Sequence, residues 1–157
     1  MQHPGLEAEC LGCQLTNGRQ NLPGGRILAT GHWVIEHCVG PLPVGTLIVK
    51  PLRHCVHIYD LTDAEAFELG LLLKRTTKVI QDLTESDQVY CCLWSHAGWR
   101  PGHIHFVLQP AWNSDRSRYA GPGPKTQIAM FNEGKVPDKT EVEQFCSKAR
   151  ELFARSA

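Results

Sequence analysis

The chain has 157 residues, with 16 Lys and Arg against 16 Asp and Glu, so its formal net charge at pH 7 is zero. With 42% hydrophobic residues it can bury a core, and its balanced charge excludes a general attraction to nucleic acid or anionic membranes. No apolar run approaches the about 20 residues that a bilayer-spanning helix needs, and the N-terminus lacks a signal-peptide pattern. We expect a single cytoplasmic domain over residues 1–157, with no membrane partner.

Local patterns predict five strands and two main helices. Residues 1–9 are expected to form a loose N-terminal arm. Short segments rich in residues that favour strands, bounded by Gly and Pro, predict strands at 26–30, 32–38, 46–50, 88–94 and 103–109. Pro51 and Pro110 are expected to end the third and fifth of these strands.

The helices are predicted from their N-terminal signals. Thr62 and Glu65 have the spacing of a capping box, which begins a helix that is expected to end near Leu83. Its predicted apolar stripe includes Phe67. A last helix is expected within residues 137–157, capped by Asp138. The polar stretch 113–125 is predicted to be a solvated surface loop. This order of elements predicts an α+β fold with an antiparallel sheet.

The cysteines indicate reduced thiols and a metal site. Seven cysteines, two of them adjacent, do not suit a closed disulfide framework, so a reducing compartment fits better. Cys10 and Cys13 have the spacing with which two thiolates bind one zinc ion, and His54 and His103 are candidates for the other two positions. The alternatives are a redox pair or two buried thiols. A redox motif is disfavoured because no strand precedes Cys10 and no helical pattern follows it.

The fifth predicted strand carries two histidines on one face. Strand side chains alternate, so His103 and His105 are predicted to point the same way while Ile104, Phe106 and Leu108 pack on the core. The alternative is that the two histidines occur by chance on a half-exposed strand. Gly102 lets a ligand approach the backbone there, which favours a site.

These segments resemble the histidine triad (HIT) superfamily. The resemblance rests on Val49 to His54 with its Pro-x-Arg, on Asp60-Leu61-Thr62 before a helix, and on Gly102-His103-Ile104-His105 followed by Pro110. It covers roughly residues 10–110. It implies a small α+β fold, a homodimer and a small-molecule nucleotide as ligand.

The resemblance also implies roles for individual residues. It places a structural zinc ion on Cys10, Cys13, His54 and His103. It makes His105 the catalytic nucleophile, with His103 at the first position of the triad. In such proteins the nucleophile forms a covalent nucleotidyl-histidine from a phosphoramidate, a dinucleoside polyphosphate or a nucleotidyl ester.

Substrate contacts are expected from the loop before the fifth strand and from two further positions. The candidate substrate-binding residues are Arg53, His96, Gly98, Trp99, Arg100 and Val107. Val107 stands at the third triad position, where it cannot donate a hydrogen bond to phosphate. Cys38 stands where the family has an aspartate that binds ribose.

Three functions remain as hypotheses from the sequence. The first is a HIT-like nucleotide hydrolase or nucleotidyl transferase, favoured by His105. The second is a weak or inactive nucleotide-binding module with a structural zinc, favoured by Val107. The third is a structural zinc domain that acts through protein contacts.

Overall fold

The computed structural model describes residues 8–95, 102–119 and 121–155. The strands in these ranges are β1 (Arg26–Ala29), β2 (Trp33–His37), β3 (Leu47–Pro51), β4 (Gln88–Trp94) and β5 (His105–Ala111). The helices are α1 (Leu11–Thr16), α2 (Asp63–Thr84), α3 (Asn113–Arg118), α4 (Pro124–Glu133) and α5 (Lys139–Arg155). Residues 1–7 of the predicted loose arm lie outside the described ranges, whereas Ala8 and Glu9 are helical.

The strands form one antiparallel sheet in the order β1-β2-β3-β5-β4. β5, which carries His105, lies between β3 and β4. The predicted α+β fold with an antiparallel sheet is therefore confirmed. None of the helices in the described ranges combines the length and the apolar character that crossing a bilayer requires.

One face of the sheet packs against the two long helices, α2 and α5. Its buried side chains include Trp33, Ile35, Leu47, Val49, Phe106 and Leu108, which meet Leu72 and Ile80 of α2 and Phe145 and Phe153 of α5. The positions on β5 follow the predicted alternation, because Phe106 and Leu108 face this core whereas Val107 belongs to a separate cluster on the other face. The helices thus cover one face and leave the other for the site.

The prediction of a loop over 113–125 is wrong. The stretch contains α3 and the start of α4. The backbone N–H of Trp112 donates to the Asp115 carboxylate, which supports the first turn of α3. Pro124 occupies the first turn of α4, where a missing N–H breaks no helical bond. α4 brings Met130 onto Val107 and Leu42, so part of the outer face is also buried.

The prediction that Pro51 and Pro110 end their strands just before them is also wrong. Pro51 is the last residue of β3, and Pro110 pairs with Val89 within the β4–β5 ladder. Both prolines lie beyond the segment over which β3 pairs with β5, which joins 47–49 to 106–108. The missing N–H therefore removes no hydrogen bond from that ladder.

The start of α2 has the predicted capping box. The Glu65 N–H donates to the Thr62 hydroxyl at 3.3 Å, and the Thr62 N–H donates to the Glu65 carboxylate at 2.7 Å. Phe67 is 87% exposed, so its assignment to the buried stripe is wrong. The same Glu65 carboxylate accepts two hydrogen bonds from Arg53, at 2.7 and 2.8 Å. The segment after β3 is thereby fastened to the N-terminus of α2.

The Arg53–Glu65 pair predicts a pH-dependent stability. Hydrogen bonding from Arg53 lowers the pKa of Glu65 from 4.5 to about 2. A lowered folded-state pKa stabilises the fold above the usual pKa, and this contribution is lost as the pH falls from about 4.5 towards 2. We expect Glu65→Gln to lower Tm at pH 7 by about 3–8 °C. Thermal unfolding of both proteins from pH 7 to pH 3 should show that the difference shrinks below about pH 4.5.

Asp82→Asn is the matched control for this prediction. Asp82 pairs with Lys78 on an exposed face of α2, where a pair contributes little. A Tm difference between the wild type and Glu65→Gln that is equally large at pH 3 and pH 7 would contradict a contribution from the Glu65 charge.

Candidate functional site

Four potential metal ligands come together where α1 meets the ends of β3 and β5. Cys10 precedes α1 and Cys13 lies within it, while His54 follows β3 and His103 precedes β5. One ligand atom from each residue lies within 4.8 Å of every other. The predicted ligand set is therefore brought together. The expectation that no helix follows Cys10 is wrong, because Cys13 belongs to α1.

The distances suit a tetrahedral ion. The Cys13 sulfur lies 3.3 Å from His54 Nδ1 and 3.5 Å from His103 Nδ1, and the Cys10 sulfur lies 3.6 Å from His103 Nδ1. Metal bonds of about 2.3 Å to sulfur and 2.0–2.1 Å to nitrogen at tetrahedral angles separate S from N by about 3.5 Å. These three sulfur–nitrogen distances thus match those expected around one tetrahedral ion.

His103 is held in the orientation and protonation state that metal binding needs. Its Nε2 lies 2.9 Å from the Pro51 carbonyl oxygen, to which it donates, so the Nδ1 lone pair faces the two sulfurs. Burial lowers the pKa of His103 to about 4, which keeps the ring neutral near pH 7. A carbonyl that orients a ligating imidazole is a typical outer contact of metal sites.

Gly12 lets α1 approach this ring. A Cβ atom built on Gly12 would lie 2.8 Å from His103 Cγ and 2.9 Å from its Nδ1, which is closer than side chains pack. A side chain at position 12 would therefore displace the His103 ring. The sequence shows this glycine, but only the fold shows what it contacts.

His105 begins β5 and lines a cavity beside the metal-ligand cluster. Its Nδ1 lies 2.7 Å from the His103 carbonyl oxygen. Nδ1 donates to that oxygen, so the ring's remaining lone pair is on Nε2. The prediction that a backbone acceptor fixes this imidazole agrees with the geometry.

The cavity has a volume of about 330 Å³. Its wall consists of α1, the end of β2, the outer face of β3, His103, His105 and Phe131 of α4. This volume falls within the range of small-molecule sites, and its largely apolar wall with few polar groups is typical of them.

Glu36 and Lys50 form a buried ion pair in the cavity wall, which the sequence interpretation missed. Both residues are 2% exposed. The Lys50 ammonium contacts one carboxylate oxygen of Glu36 and donates to the Gly12 carbonyl at 2.8 Å. Burial raises the pKa of Glu36, and the Lys50 charge opposes that shift. A charged residue within each of two apolar runs, Trp33–Ile35 before Glu36 and Leu47–Val49 before Lys50, is the signal that could have revealed the pair.

Of the other predicted substrate-binding residues, Arg53 and Val107 lie within the described ranges, and neither lines the cavity. The Arg53 guanidinium binds Glu65 and the Asp60 carbonyl and does not line the cavity. Val107 is 5% exposed and packs with Leu42 and Met130. The predicted sites His96, Gly98, Trp99 and Arg100 lie outside the described residues.

Comparison with known proteins identifies the fold. No family model and no curated protein matches the sequence. A hypothetical histidine triad nucleotide-binding protein from Sulfolobus tokodaii has a similar structure, with TM-score 0.70, 18% identity and 93% of each chain covered. A zinc-bound histidine triad family protein from Mycobacterium smegmatis gives TM-score 0.68 at 18% identity, with 96% of each chain covered.

A HIT-like protein involved in cell-cycle regulation from Bartonella henselae gives TM-score 0.65 at 13% identity, covering 90% of this chain and 95% of that chain. At these identities the similarity establishes the fold and no more. The predicted resemblance to the histidine triad superfamily is thereby confirmed at the level of the fold.

The close packing at Gly12 predicts a metal-binding defect. We expect Gly12→Ala to displace the His103 ring, to lower the metal content of the purified protein several-fold and to lower Tm. Gly31→Ala is the control, because a Cβ at Gly31 meets nothing within 4 Å. Elemental analysis and thermal unfolding check both variants. Equal metal content in the two would show that the ligand cluster does not depend on this contact.

Proposed function

We propose that this chain, which has the histidine triad fold, binds a nucleotide in the cavity beside His105 and cleaves its phosphoryl linkage through that residue. The observation that carries the proposal is the His105 ring, whose Nδ1 is held by the His103 carbonyl at 2.7 Å while the ring lines the cavity. A neutral imidazole with Nε2 as its basic atom is the form that can attack phosphorus.

The proposed reaction has two steps, and its atoms, electrons and protons balance over them. His105 Nε2 forms a bond to the α-phosphorus, and the bond to the leaving group breaks with its electron pair, so the leaving group takes up a proton. Water then attacks phosphorus, the P–N bond returns its electrons to the ring, and one proton is released. The candidate substrates are phosphoramidates, dinucleoside polyphosphates and nucleotidyl esters.

Val107 favours a second candidate, a nucleotide-binding module with slow or no turnover. Its side chain is apolar and buried between Leu42 and Met130, so it gives phosphate no hydrogen bond. Loss of one such donor costs about 10²–10³ in rate. Slow release of the covalent intermediate would make it easier to isolate.

We propose that the metal is a structural zinc ion. Two thiolates and two imidazoles are a typical ligand set for zinc, and four protein ligands close its coordination sphere. Residues Cys10, Cys13, His54 and His103 would hold it, and its effect would be to fasten α1 to the two histidine-bearing segments. The elemental analysis of the Gly12→Ala experiment identifies the ion, and a different metal would overturn this assignment.

The covalent step predicts an adduct on His105. After incubation with a nucleoside 5′-phosphoramidate, intact-mass analysis should show a nucleotidyl adduct on the wild-type chain, or turnover of the substrate. His105→Asn should abolish both while it retains nucleotide binding, because the nucleophilic nitrogen is gone.

His57→Asn is the matched control, since the exposed His57 ring stacks on Tyr59 and does not line the cavity. Wild-type protein that binds the nucleotide but shows neither adduct nor turnover would favour the binding module. An amount of adduct on the His105→Asn variant equal to that on the wild type would assign the covalent step to another residue.

We further propose a homodimer formed along β4, in a protein of the cytoplasm. β4 is an end strand of the sheet, and within the described ranges no other strand pairs with its outer edge. Leu93 and Trp94 on β4 are 42% and 41% exposed, and Phe67 and Leu71 of α2 are 87% and 62% exposed. Apolar side chains beside an open strand edge suit pairing with a second copy.

The dimer proposal predicts that Leu93→Lys shifts the protein towards monomer. A charge on the open strand would be buried against its copy in the dimer. Light scattering after size-exclusion chromatography measures the mass. Val136→Lys is the control, because Val136 is 63% exposed and lies on neither element. A wild-type monomer, or equal effects of both variants, would contradict β4 as the interface.

A further inference from the structure

The Glu36–Lys50 pair is a charged feature in a largely apolar cavity wall. Glu36 lies on β2 and Lys50 on β3, each 2% exposed, and both line the cavity that contains His105. Apolar side chains such as Leu15 and Ile48 line the same cavity. A few polar groups within an apolar wall fix the orientation of a ligand.

The strand register places Glu36 on the same sheet face as His105. Glu36 pairs with Ile48 on β3, and Ile48 pairs with Val107 on β5. Residues that are paired across strands point to the same face, and His105 is two residues from Val107 on that face. Two strand spacings separate β2 from β5 by about 10 Å. This distance is comparable with the length of a nucleoside.

One carboxylate oxygen of the Glu36–Lys50 ion pair lacks a hydrogen-bond partner in the described part of the chain. Lys50 is bound to Glu36 Oε1 and to the Gly12 carbonyl, whereas Glu36 Oε2 is buried and has no hydrogen-bond partner in the described part of the chain. Buried carboxylate oxygens normally have partners, because an unpaired one is costly. An apolar pair of similar volume is often as stable as a buried ion pair. Stability alone therefore does not explain Glu36.

We propose that Glu36 is a specificity-determining residue that accepts a hydrogen bond from an N–H group on the base of a bound nucleotide, while Lys50 holds the carboxylate in place. The proposal rests on the function proposed above, because it assigns the base end of the ligand to this part of the cavity. Adenine and guanine each carry an exocyclic amino group, whereas unsubstituted purine has only acceptor nitrogens on its ring. Glu36 therefore selects for the amino-bearing bases.

The neighbouring Cys38 does not replace Glu36 as an anionic acceptor. Cys38 also lines the cavity, but burial raises its pKa to about 11, so the thiol stays neutral near pH 7. Hydrogen bonds to a charged acceptor are stronger than those to a neutral one. Glu36 thus supplies the stronger acceptor to the ligand.

The test compares three nucleotides and four proteins by calorimetry. The ligands are AMP, GMP and purine riboside 5′-monophosphate, which lacks the amino group and any N–H on the base. We expect the wild type to bind AMP or GMP about 10- to 100-fold more tightly than the purine nucleotide. Glu36→Leu combined with Lys50→Met should lose this preference while it keeps binding through the rest of the cavity.

A second variant and a control keep the test decisive. Glu36→Gln retains the size of the side chain and should reduce the preference, because it replaces the charged acceptor with a neutral amide. Glu133→Gln, at an exposed pair with Arg118 outside this cavity, should leave the preference unchanged.

The outcomes separate this inference from the proposed function. A wild-type protein that binds all three nucleotides equally overturns the role of Glu36 and leaves nucleotide binding intact. A preference that persists in the double variant also overturns it. If no protein binds any of the nucleotides, the proposed function fails and this inference fails with it.

Discussion

The contacts of His103 connect the metal-ligand cluster to His105. Its Nε2 donates to Pro51, its Nδ1 lies within 3.6 Å of both cysteine sulfurs, and its carbonyl accepts the Nδ1 hydrogen bond of His105. One residue thus orients a metal-ligand cluster through its side chain and a candidate nucleophile through its backbone. A shift of this residue would therefore disturb the proposed metal site and the proposed reaction together. We regard its fixed position as the constraint on which the site depends.

α1 forms one wall of the cavity and is too short to be stable alone. It has six residues, and isolated helices below about 12–15 residues are marginal in water. Its contacts with the sheet include the hydrogen bond from Arg26 of β1 to the Thr16 carbonyl at 2.9 Å. Two further contacts, the cysteines beside His103 and the bond from Lys50 to the Gly12 carbonyl, meet at the turn around Gly12, which packs against the His103 ring. The shape of the cavity therefore depends on the metal ligands and on the ion pair at once.

The sequence predicted those features that depend on spacing along the chain. The capping box of Thr62 and Glu65 and the alternation of Phe106, Val107 and Leu108 along β5 involve residues within a few positions, and both were predicted correctly. The C-x-x-C spacing predicted two neighbouring potential ligands but not the helix that contains Cys13. Prediction of the complete ligand set also relied on the family resemblance, because no local pattern places residues 54 and 103 beside residue 10. That set is Cys10, Cys13, His54 and His103.

Features that depend on tertiary partners were missed. Pro51 and Pro110 remain in their strands because of where the β3–β5 ladder ends, which the sequence does not show. The helices within 113–133 gain stability from contacts such as Met130 with Val107. Glu36 and Lys50 are 14 positions apart, and only the strand register makes them neighbours.

The polar groups of the outer sheet face are distributed unevenly, and this distribution constrains the chemistry. β5 carries an imidazole at 105 but an apolar, buried side chain at 107, so the support for a developing phosphate charge does not come from that position. The buried charges lie instead on β2 and β3, about two and one strand spacings from β5. The Glu36 carboxylate, two strand spacings from β5, would act on the far end of a bound ligand, whereas Lys50 lies on the strand next to His105. The described part of the outer face therefore carries a buried charged acceptor on β2, while position 107 of β5 offers no hydrogen-bond donor.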